Sequence, residues 1–383
     1  MPFATALSVH PDAAEATGEV VGRVLEQLGR APELAVLFVT PHHVRAVPDV
    51  AATVRAVLEP GVLLGATGVA VAGGEREVED GPGLVLWAAR LAERPRPVRV
   101  TAARTPSGTA LGGLSAATCG PGERLVLLAD PLTLPMDDVV ALLGQLDPPV
   151  VVAGGAASAR GPGSNRLVLD GEVVTDGGVG IVLPADDATE LVVSQGCRPV
   201  GEPMIVTGAV RNRLVELAGR PALDRLEELV EASEPGDRAR LAAGIHLGIA
   251  VDEHRVSFGQ GDFLVRNLVG VHRQERSLVV TEPVPVGTTV QFQVRDAGSA
   301  DEDLRARLAR ASTAGLADGA LLFTCNGRGR RLFGVPDHDA GAVVEALRSD
   351  AVAGTFCAGE IGPVDRRSFV HSFTASVVLF HDP

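Results

Sequence analysis

The stretch ALLFTCNGRGRRLFGVPDHDAGAVVEALRSDAVAGTFCAGEIG, residues 320–362, contains the pattern that decides the predicted fold. It begins with an apolar run, 320–324, whose length and flanking turn residues are typical of a buried strand. Asp339 is placed to cap a helix over 340–348, whose apolar residues fall on one face. A second apolar strand follows and ends in the letters GEIG. The sequence therefore predicts a β–α–β unit here.

Two glycine-rich loops of opposite charge follow the two predicted strands. The first, CNGRGRR at 325–331, contains three arginines and two glycines, and the second holds Glu360 between two glycines. In a β–α–β unit these loops share one end of the sheet, where open sheets keep their ligand crevices. The sequence predicts a crevice with cations on one side and a carboxylate on the other.

The same order of elements occurs twice more, earlier in the chain, which indicates an internal repeat. In each copy two apolar strands enclose a helix, and a further strand closes the set. The predicted segments are 34–40, 48–58, 62–64 and 84–89 in the first copy, 125–129, 136–146, 150–153 and 179–183 in the second, and 376–381 as the closing strand of the third. The strands are nearly continuous in apolar residues, which is typical of strands buried on both faces.

The segment between the second and third copies has a different pattern. Strands at 263–271, 277–281 and 288–295 follow one another with short turns, which predicts an antiparallel meander. We place a domain boundary near 186–194, giving domains 1–190 and 191–383, each of an ordinary size. The predicted fold class is mixed α+β: two pseudo-repeated halves of largely buried sheets covered by helices, with a layered α-β-β-α sandwich as one arrangement.

Composition excludes several functional classes. The 383 residues are 46% hydrophobic, which is enough for ordinary cores, and the formal net charge is -14, which disfavours nucleic acid as a partner. The sequence has no lysine, so Schiff-base chemistry and a phosphate-binding loop lysine are excluded. No serine elbow or zinc-protease motif occurs, so the sequence favours a binding protein over an enzyme.

We expect a cytoplasmic protein without cofactor or metal. The N-terminus lacks the basic start and apolar run of a signal peptide, and no apolar run approaches the length needed to cross a membrane. The four cysteines have no zinc-ligand spacing, and buried reduced thiols are the simplest interpretation.

Several segments resemble the FIST sensory module. LAVLFVTPHH, VLLGATGVAVAGGEREVE and LVLWAARL are similar to its N-terminal half. SQGCRPVGEPMIVTG, DFLVRNLVGV, VQFQVRDA, LLFTCNGRGRRLFG and FCAGEIGPV are similar to its C-terminal half. The resemblance covers almost the whole chain, and the CNGRG and AGEIG pair is its most specific part.

The resemblance implies a small-ligand-binding sensory module for signal transduction, with amino acids as ligands. In bacteria such modules are often fused to signalling output domains, and in eukaryotes a similar pair follows an F-box and recruits substrates. This chain has room for neither, so we expect the bare module, acting through a signalling protein partner. Thr67, in the turn after VLLGA, resembles the small-residue turn of the family.

The arginine loop and the Glu360 loop supply the candidate ligand-binding residues. Arg328 and Arg331 can offer planar forks to a carboxylate, and Glu360 can receive an ammonium group. Together they match an amino-acid zwitterion or a similar small carboxylate. The alternative is a structural ion pair between Arg328 and Glu360 that joins the two loops.

Glycines and a turn shape the same loops. Asn326 and Gly327 predict a tight turn, and Gly329 lets the backbone approach a ligand closely. Gly359 precedes Glu360 in the second loop. Arg266 lies inside the apolar strand FLVRNLVGV, where it needs an acidic partner unless it faces solvent.

Cys325 is the remaining candidate, because the neighbouring arginines would lower its pKa and raise its reactivity. A redox pair with Cys357 and a nucleophile with a base such as His338 or His371 are both open, as is a small apolar residue that fills a strand end. The sequence therefore leaves two alternatives to a ligand sensor: a thiol-dependent enzyme that uses Cys325, and a scaffold that recruits other proteins.

Overall fold

The computed structural model describes residues 2–105, 108–115, 118–161, 163–185, 188–312, 315–365 and 367–381. The chain folds into two units. Unit 1 consists of Met1–Val193, Leu304–Val370 and Thr374–Pro383, and unit 2 of Ser194–Asp303 and His371–Phe373. All three predicted β–α–β copies therefore belong to unit 1.

Strands and helices are numbered along the chain. The first strands are β1 (Phe3–Ser8), β2 (Leu34–Val39), β3 (Val62–Thr67), β4 (Val71–Gly73), β5 (Arg76–Val78), β6 (Leu84–Ala89), β7 (Arg96–Thr105), β8 (Gly108–Gly112), β9 (Arg124–Ala129), β10 (Val151–Ala156), β11 (Leu167–Leu169), β12 (Glu172–Val174), β13 (Gly178–Leu183) and β14 (Thr189–Gln195). The next are β15 (Cys197–Val210), β16 (Arg213–Leu217), β17 (Arg220–Pro221), β18 (His246–Ala250), β19 (Phe263–His272), β20 (Ser277–Val280) and β21 (Thr289–Arg295). The last are β22 (Gly319–Cys325), β23 (Val352–Cys357), β24 (Glu360–Val364), β25 (Arg367–His371) and β26 (Thr374–Phe380). The helices are α1 (Ala13–Leu28), α2 (Val47–Leu58), α3 (Met136–Gly144), α4 (Ala222–Ala232), α5 (Pro235–Ala243), α6 (Ala297–Ala311), α7 (Arg330–Phe333) and α8 (His338–Leu347), with a 3-10 helix at Pro41–Ala46.

The predicted internal repeat is confirmed by the strand pairing. Each copy has two parallel strands joined by a helix: β2–α2–β3, β9–α3–β10 and β22–α8–β23. In each copy the closing strand, β6, β13 or β26, runs antiparallel beside the first strand. Each copy thus forms the centre of its own sheet.

Unit 1 is a layered α-β-β-α arrangement, which confirms the mixed α+β class. Sheet A has the order β1-β6-β2-β3-β11-β12, sheet B the order β14-β26-β22-β23-β4-β5, and sheet C the order β25-β24-β10-β9-β13-β7-β8. One face of sheet A packs on sheets B and C, and its other face packs on α1 and α2. Helices α6 and α8 cover the outer face of sheet B, and α3 covers that of sheet C. Successive residues of a strand point to opposite faces, so Leu37 contacts the helices and Phe38 the inner core.

Unit 2 contains a ring of antiparallel strands in the order β15-β21-β18-β19-β20-β16, closed because β16 also pairs with β15. The long strand β15 pairs with two neighbours: its residues up to Ile205 pair with β21, and those from Val206 onward pair with β16. The predicted meander is partly wrong. β19 and β20 are neighbours, but β21 pairs with β15 and β18 instead of β20. The sequence pattern predicts where these strands lie, but the alternation of apolar and polar residues along a strand does not determine which strands pair.

Candidate functional site

The two glycine-rich loops lie at the same edge of sheet B, as predicted. Cys325 and Cys357, the last residues of β22 and β23, are directly paired in register, so the loops leave the sheet side by side. The backbone N–H of Arg328 donates to the carbonyl of Cys325 at 2.9 Å, which confirms the tight turn through Asn326 and Gly327. The turn is tied to the other loop by the Asn326 N–H, which donates to the Cys357 carbonyl at 2.9 Å.

Arg328 is fully buried, and its ion-pair partner is Asp339. Its Nε and Nη2 atoms donate to the two carboxylate oxygens of Asp339 at 2.7 and 2.8 Å. The planar fork that we expected to face a ligand is therefore closed on Asp339, because α8 packs against β22 and carries Asp339 to this loop. Among the described residues, the third nitrogen, Nη1, has no hydrogen-bond partner.

Asp339 is held from several sides. Thr324 Oγ1 donates to it at 2.6 Å, and His338 Nδ1 lies 3.0 Å from its other oxygen. Burial works to raise the pKa of Asp339, but the charge and hydrogen bonds of Arg328 outweigh burial and hold the pKa below its usual range. The predicted capping role of Asp339 is wrong: α8 begins at His338, with Asp337 at the N-cap position, and Asp339 lies inside the first turn.

Glu360, the first residue of β24, is also fully buried. Its Oε2 atom accepts hydrogen bonds from Thr374, from the backbone N–H at 3.1 Å and from the hydroxyl at 2.9 Å. Burial raises the pKa of Glu360 to about 8, although those bonds and the Arg328 charge act in the opposite direction. In the part of the chain that the structure describes, Oε1 has no nitrogen or oxygen donor, and a hydrogen bond from the Cys325 thiol to the carboxylate also favours its ionised form.

The other predicted residues of the arginine loop have different environments. Asn326 and Arg331 are exposed, and the Gly327 N–H donates to the sulfur of Cys325 at 3.4 Å. Gly329 has φ 59° at the start of α7, and a Cβ there would lie 2.7 Å from Glu79 Oε2. The close approach that Gly329 permits is thus to Glu79 of unit 1, which accepts the Arg330 N–H at 2.9 Å.

Three predicted residues make contacts outside this cluster. The Gly359 carbonyl accepts the N–H of Ala156 on β10 at 2.8 Å, which links the Glu360 loop to sheet C. Thr67 Oγ1 accepts the Arg166 N–H at 2.9 Å, at the end of β3. Arg266 belongs to unit 2, is 8% exposed and has the acidic partner that burial requires, since its Nε lies 2.7 Å from Glu282.

The cysteines give the thiol hypotheses little support. All four are buried thiols that form no disulfide. Burial raises the pKa of Cys357 well above its ordinary value, so this thiol stays protonated and unreactive.

Sequence reasoning missed the residues that hold the two charged groups in place, Asp339 and Thr374. It also missed that the Arg328 guanidinium lies 5.2 Å above the ring of Phe333, and that the His338 ring stacks on the same Phe333. One signal was available: a buried arginine requires an acid, and the letters DHD at 337–339 offer two at the start of the next helix.

The hairpin β4–β5 brings further carboxylates to α8. Glu77 Oε1 accepts the N–H of Ala340 at 3.0 Å, and Asp337 accepts the N–H of Glu77 at 2.7 Å. Burial, and next the negative charge of Asp339, raise the pKa of Glu77 to about 8. The hairpin thus fixes the start of α8 and, through α8, the position of Asp339.

Two kinds of feature are absent from the described ranges. No helix there is both long and apolar enough to cross a membrane. No group of three or more histidine, cysteine, aspartate or glutamate residues there is arranged to hold a metal ion.

Comparison with known proteins agrees with the sequence resemblance. Residues 33–220 match the FIST N domain and residues 222–363 match the FIST C domain. An uncharacterised protein of Mycobacterium bovis is 44% identical over 377 residues, 97% of either chain. An uncharacterised protein of Mycobacterium tuberculosis is 42% identical over 388 residues, which covers both chains completely. With both domains matched in order across most of its length, this chain belongs to the FIST family.

Proposed function

We propose that the protein is a small-molecule sensory module whose Arg328–Glu360 cluster binds an amino acid or a similar small zwitterion. One observation carries this proposal. In the described chain, two fully buried atoms of a base and an acid, Arg328 Nη1 and Glu360 Oε1, lack a nitrogen or oxygen hydrogen-bond partner. Their groups interact electrostatically, so they lie near each other.

Unpartnered buried polar atoms are rare in folded proteins, because burial without a hydrogen bond costs about 1–3 kcal/mol and more for charged groups. Such atoms are usually satisfied by water or by a ligand. Here each group is already oriented by the protein: Asp339 holds the guanidinium and Thr374 holds the carboxylate. A guest carboxylate can accept from Nη1 while its ammonium donates to Oε1, without rearrangement of either side chain.

The route to the cluster runs through the arginine loop. Exposed Asn326 and Arg331 flank buried Arg328, so the arginine loop separates the cluster from solvent, and a guest would enter from this side. Because α7 starts at Arg330, a guest bound below the loop also restrains α7. The bound state is favoured by the contacts that only it makes with the guest. A signalling protein partner would then bind the restrained form of α7 differently from the free form.

The test is calorimetric titration of the full chain with the common L-amino acids. For an amino acid that binds, the N-acetyl derivative and the amide, which each lack one charge, should bind at least tenfold more weakly. Binding of an ammonium requires ionised Glu360, whose pKa is raised to about 8, so binding at pH 7 should release a proton. The released proton is measured from the heat in buffers of different ionisation enthalpy.

Glu360→Gln is the informative variant, because the amide oxygen still accepts from Thr374 while the charge is lost. We expect it to fold and to lose binding, whereas Glu26→Gln, on an exposed glutamate of α1, should bind as the wild type does. The proposal fails if no amino acid gives a heat or a thermal shift, or if Glu360→Gln binds unchanged.

A further inference from the structure

A second set of buried polar side chains lies in unit 2, on one face of the strand ring. His246 of β18 is directly opposite Gln293 of β21, and Gly248 is opposite Gln291. Residues opposite each other in an antiparallel pair point to the same face, so the histidine and both glutamines share one face. The residues between them, such as Leu247, belong to the apolar core on the other face. We call the shared side the His246 face.

These polar side chains are buried but incompletely hydrogen-bonded. His246, Gln291 and Gln293 are 8%, 6% and 1% exposed. The Gln291 amide nitrogen donates to the Gly201 carbonyl at 2.6 Å, yet its oxygen has no partner among the described residues. The same holds for the amide nitrogen of Gln293 and for at least one ring nitrogen of His246. Such unsatisfied groups on one face of two adjacent strands indicate that something outside the described chain completes them.

Gly248, Phe373 and Arg295 surround the polar side chains of this face. A Cβ at Gly248 would lie 2.5 Å from the Gln293 amide nitrogen and 2.9 Å from Phe263 Cβ, so only glycine lets Gln293 lie across β18. Phe373 forms a flat wall, with its ring centroid 4.4 Å from that of His246. The Arg295 guanidinium lies over the other part of the same ring, 5.5 Å from its centroid.

The electrostatics of the face favour an anion. Burial, and next the positive charge of Arg295, lower the pKa of His246 to about 4, so the ring is neutral at neutral pH. A neutral imidazole offers one donor and one acceptor. A side-chain hydrogen bond with Asn267 acts on the His246 pKa in the opposite direction and occupies part of its hydrogen-bonding capacity. The face therefore presents a donor on Gln293, an acceptor on Gln291, and the charge of Arg295.

We propose that the His246 face binds a small organic anion that also carries a hydroxyl group. Its anionic oxygens accept from the amide nitrogen of Gln293 near His246 and the Arg295 charge, and its hydroxyl donates to the oxygen of Gln291. This site belongs to unit 2 and uses none of the residues of the Arg328–Glu360 cluster, so it goes beyond the function proposed above.

The probes are L-malate, D-glycerate and glycerol 3-phosphate, which combine an anion with a hydroxyl, and glycerol and inorganic phosphate, which each lack one of the two features. We expect a combined probe to bind the full chain in calorimetry and the single-feature probes to bind at least tenfold more weakly. NMR of the histidine ring gives a second readout on the wild type. A bound anion should raise the pKa of His246 toward its ordinary value, because negative charge stabilises the imidazolium.

Gln293→Leu should lower the affinity for the combined probe at least tenfold, and Gly248→Ala should do the same by displacing the amide. Glu360→Gln should leave this binding unchanged, which separates the two sites. If Gln293→Leu fails to fold, the NMR readout on the wild type decides. The proposal is overturned if no combined probe binds at millimolar concentration and the His246 pKa does not move, or if Gln293→Leu binds as tightly as the wild type.

Discussion

At Asp339, one fully buried carboxylate partners Arg328, Thr324 and His338. Removing one partner of a buried ion pair is costly because the remaining charge stays buried and unpaired. Asp339→Asn should therefore lower the free energy of unfolding by about 3–5 kcal/mol, measured by urea denaturation.

Replacement of both partners, Arg328→Met with Asp339→Leu, should be markedly less destabilising than Asp339→Asn, since no charge is left unpaired. Asp138→Asn, on the exposed side of α3, is the control and should change stability by less than about 0.5 kcal/mol. If Asp339→Asn has no larger effect than Asp138→Asn, the ion pair does not have the role that its geometry indicates.

Glu360 and Glu77 should make the stability of the folded state depend on pH. The pKa of each is raised to about 8 from an ordinary 4.5, by burial in both cases. Between these values the folded chain holds protons that the unfolded chain has released, so the folded state should lose stability as pH rises from about 5 to 8. Urea midpoints measured across this range should fall.

Glu360→Gln mimics the neutral acid at every pH and should flatten part of this dependence. The variant should resemble the wild type near pH 5 and be more stable than the wild type at pH 8.5. Glu26→Gln should follow the wild-type curve throughout. Parallel curves for Glu360→Gln and the wild type would mean that Glu360 is already ionised at neutral pH.

The sequence predicts the two loops of the site, but it does not predict which residues pair with Arg328 and Glu360. Arg328 and Glu360 are recognisable because arginine and glutamate stand out among glycines at strand ends. The sequence pattern predicts Asp339 as a helix cap, because an acidic residue near the start of a helix usually accepts hydrogen bonds from the free backbone N–H groups there. Only the packing of α8 on β22 shows that this carboxylate turns inward to the arginine. Partner choice between distant residues depends on tertiary packing, which no local pattern contains.

Among the elements, the repeated β–α–β units are predictable because their strands are buried on both faces and therefore apolar throughout. The hairpin β7–β8 is missed for the opposite reason: β7 is largely exposed and rich in arginine, with no apolar run to mark it. The order of strands in unit 2 is missed because β15 pairs with two neighbours along its length.

Each repeated unit has a glycine at the equivalent position of its second strand. Gly65, Gly154 and Gly354 lie directly opposite Leu37, Leu127 and Leu322 of the parallel first strand. If any of these glycines carried a Cβ, the nearest atom to it would be the backbone carbonyl oxygen of the facing leucine, at 2.7 Å for Gly354. This glycine therefore permits close approach of the two strands, and its recurrence is the structural signature of the repeat.

Gly354→Ala should destabilise the protein by about 1–3 kcal/mol, the usual cost of overpacking, because the carbonyl it meets belongs to a central strand and cannot move aside. Gly22→Ala is the matched control: nothing lies within 4 Å of a Cβ there, in the middle of α1. It should stabilise by about 0.5–1 kcal/mol through helix propensity. Thermal unfolding of both variants measures this contrast. Equal shifts, or a Gly354→Ala variant that is more stable than Gly22→Ala, would refute the prediction.

For the whole molecule, the division into units means that the first 193 residues do not complete unit 1. Sheet A packs its inner face partly against sheet B, and three of the six strands of sheet B, β22, β23 and β26, come from residues 319–380. The ring of Trp87 on β6 lies 5.1 Å from that of Phe380 on β26, and its indole N–H donates to the Ala351 carbonyl at 3.0 Å. Phe38 likewise meets Phe323, with 6.2 Å between the ring centroids.

A fragment of residues 1–193 should therefore fail to form a native core, because it exposes a large apolar face that buried side chains of the third repeat normally cover. Trp87 is the only tryptophan in the chain and is fully buried, so its fluorescence reports this directly. We expect red-shifted emission and a non-cooperative urea transition for the fragment, against blue-shifted emission and a cooperative transition for the full chain. Addition of a fragment of residues 304–383 should restore part of the blue shift, since it supplies strands β22, β23 and β26 of sheet B. A fragment 1–193 that unfolds cooperatively with buried Trp87 would show that the first two repeats are sufficient for a core.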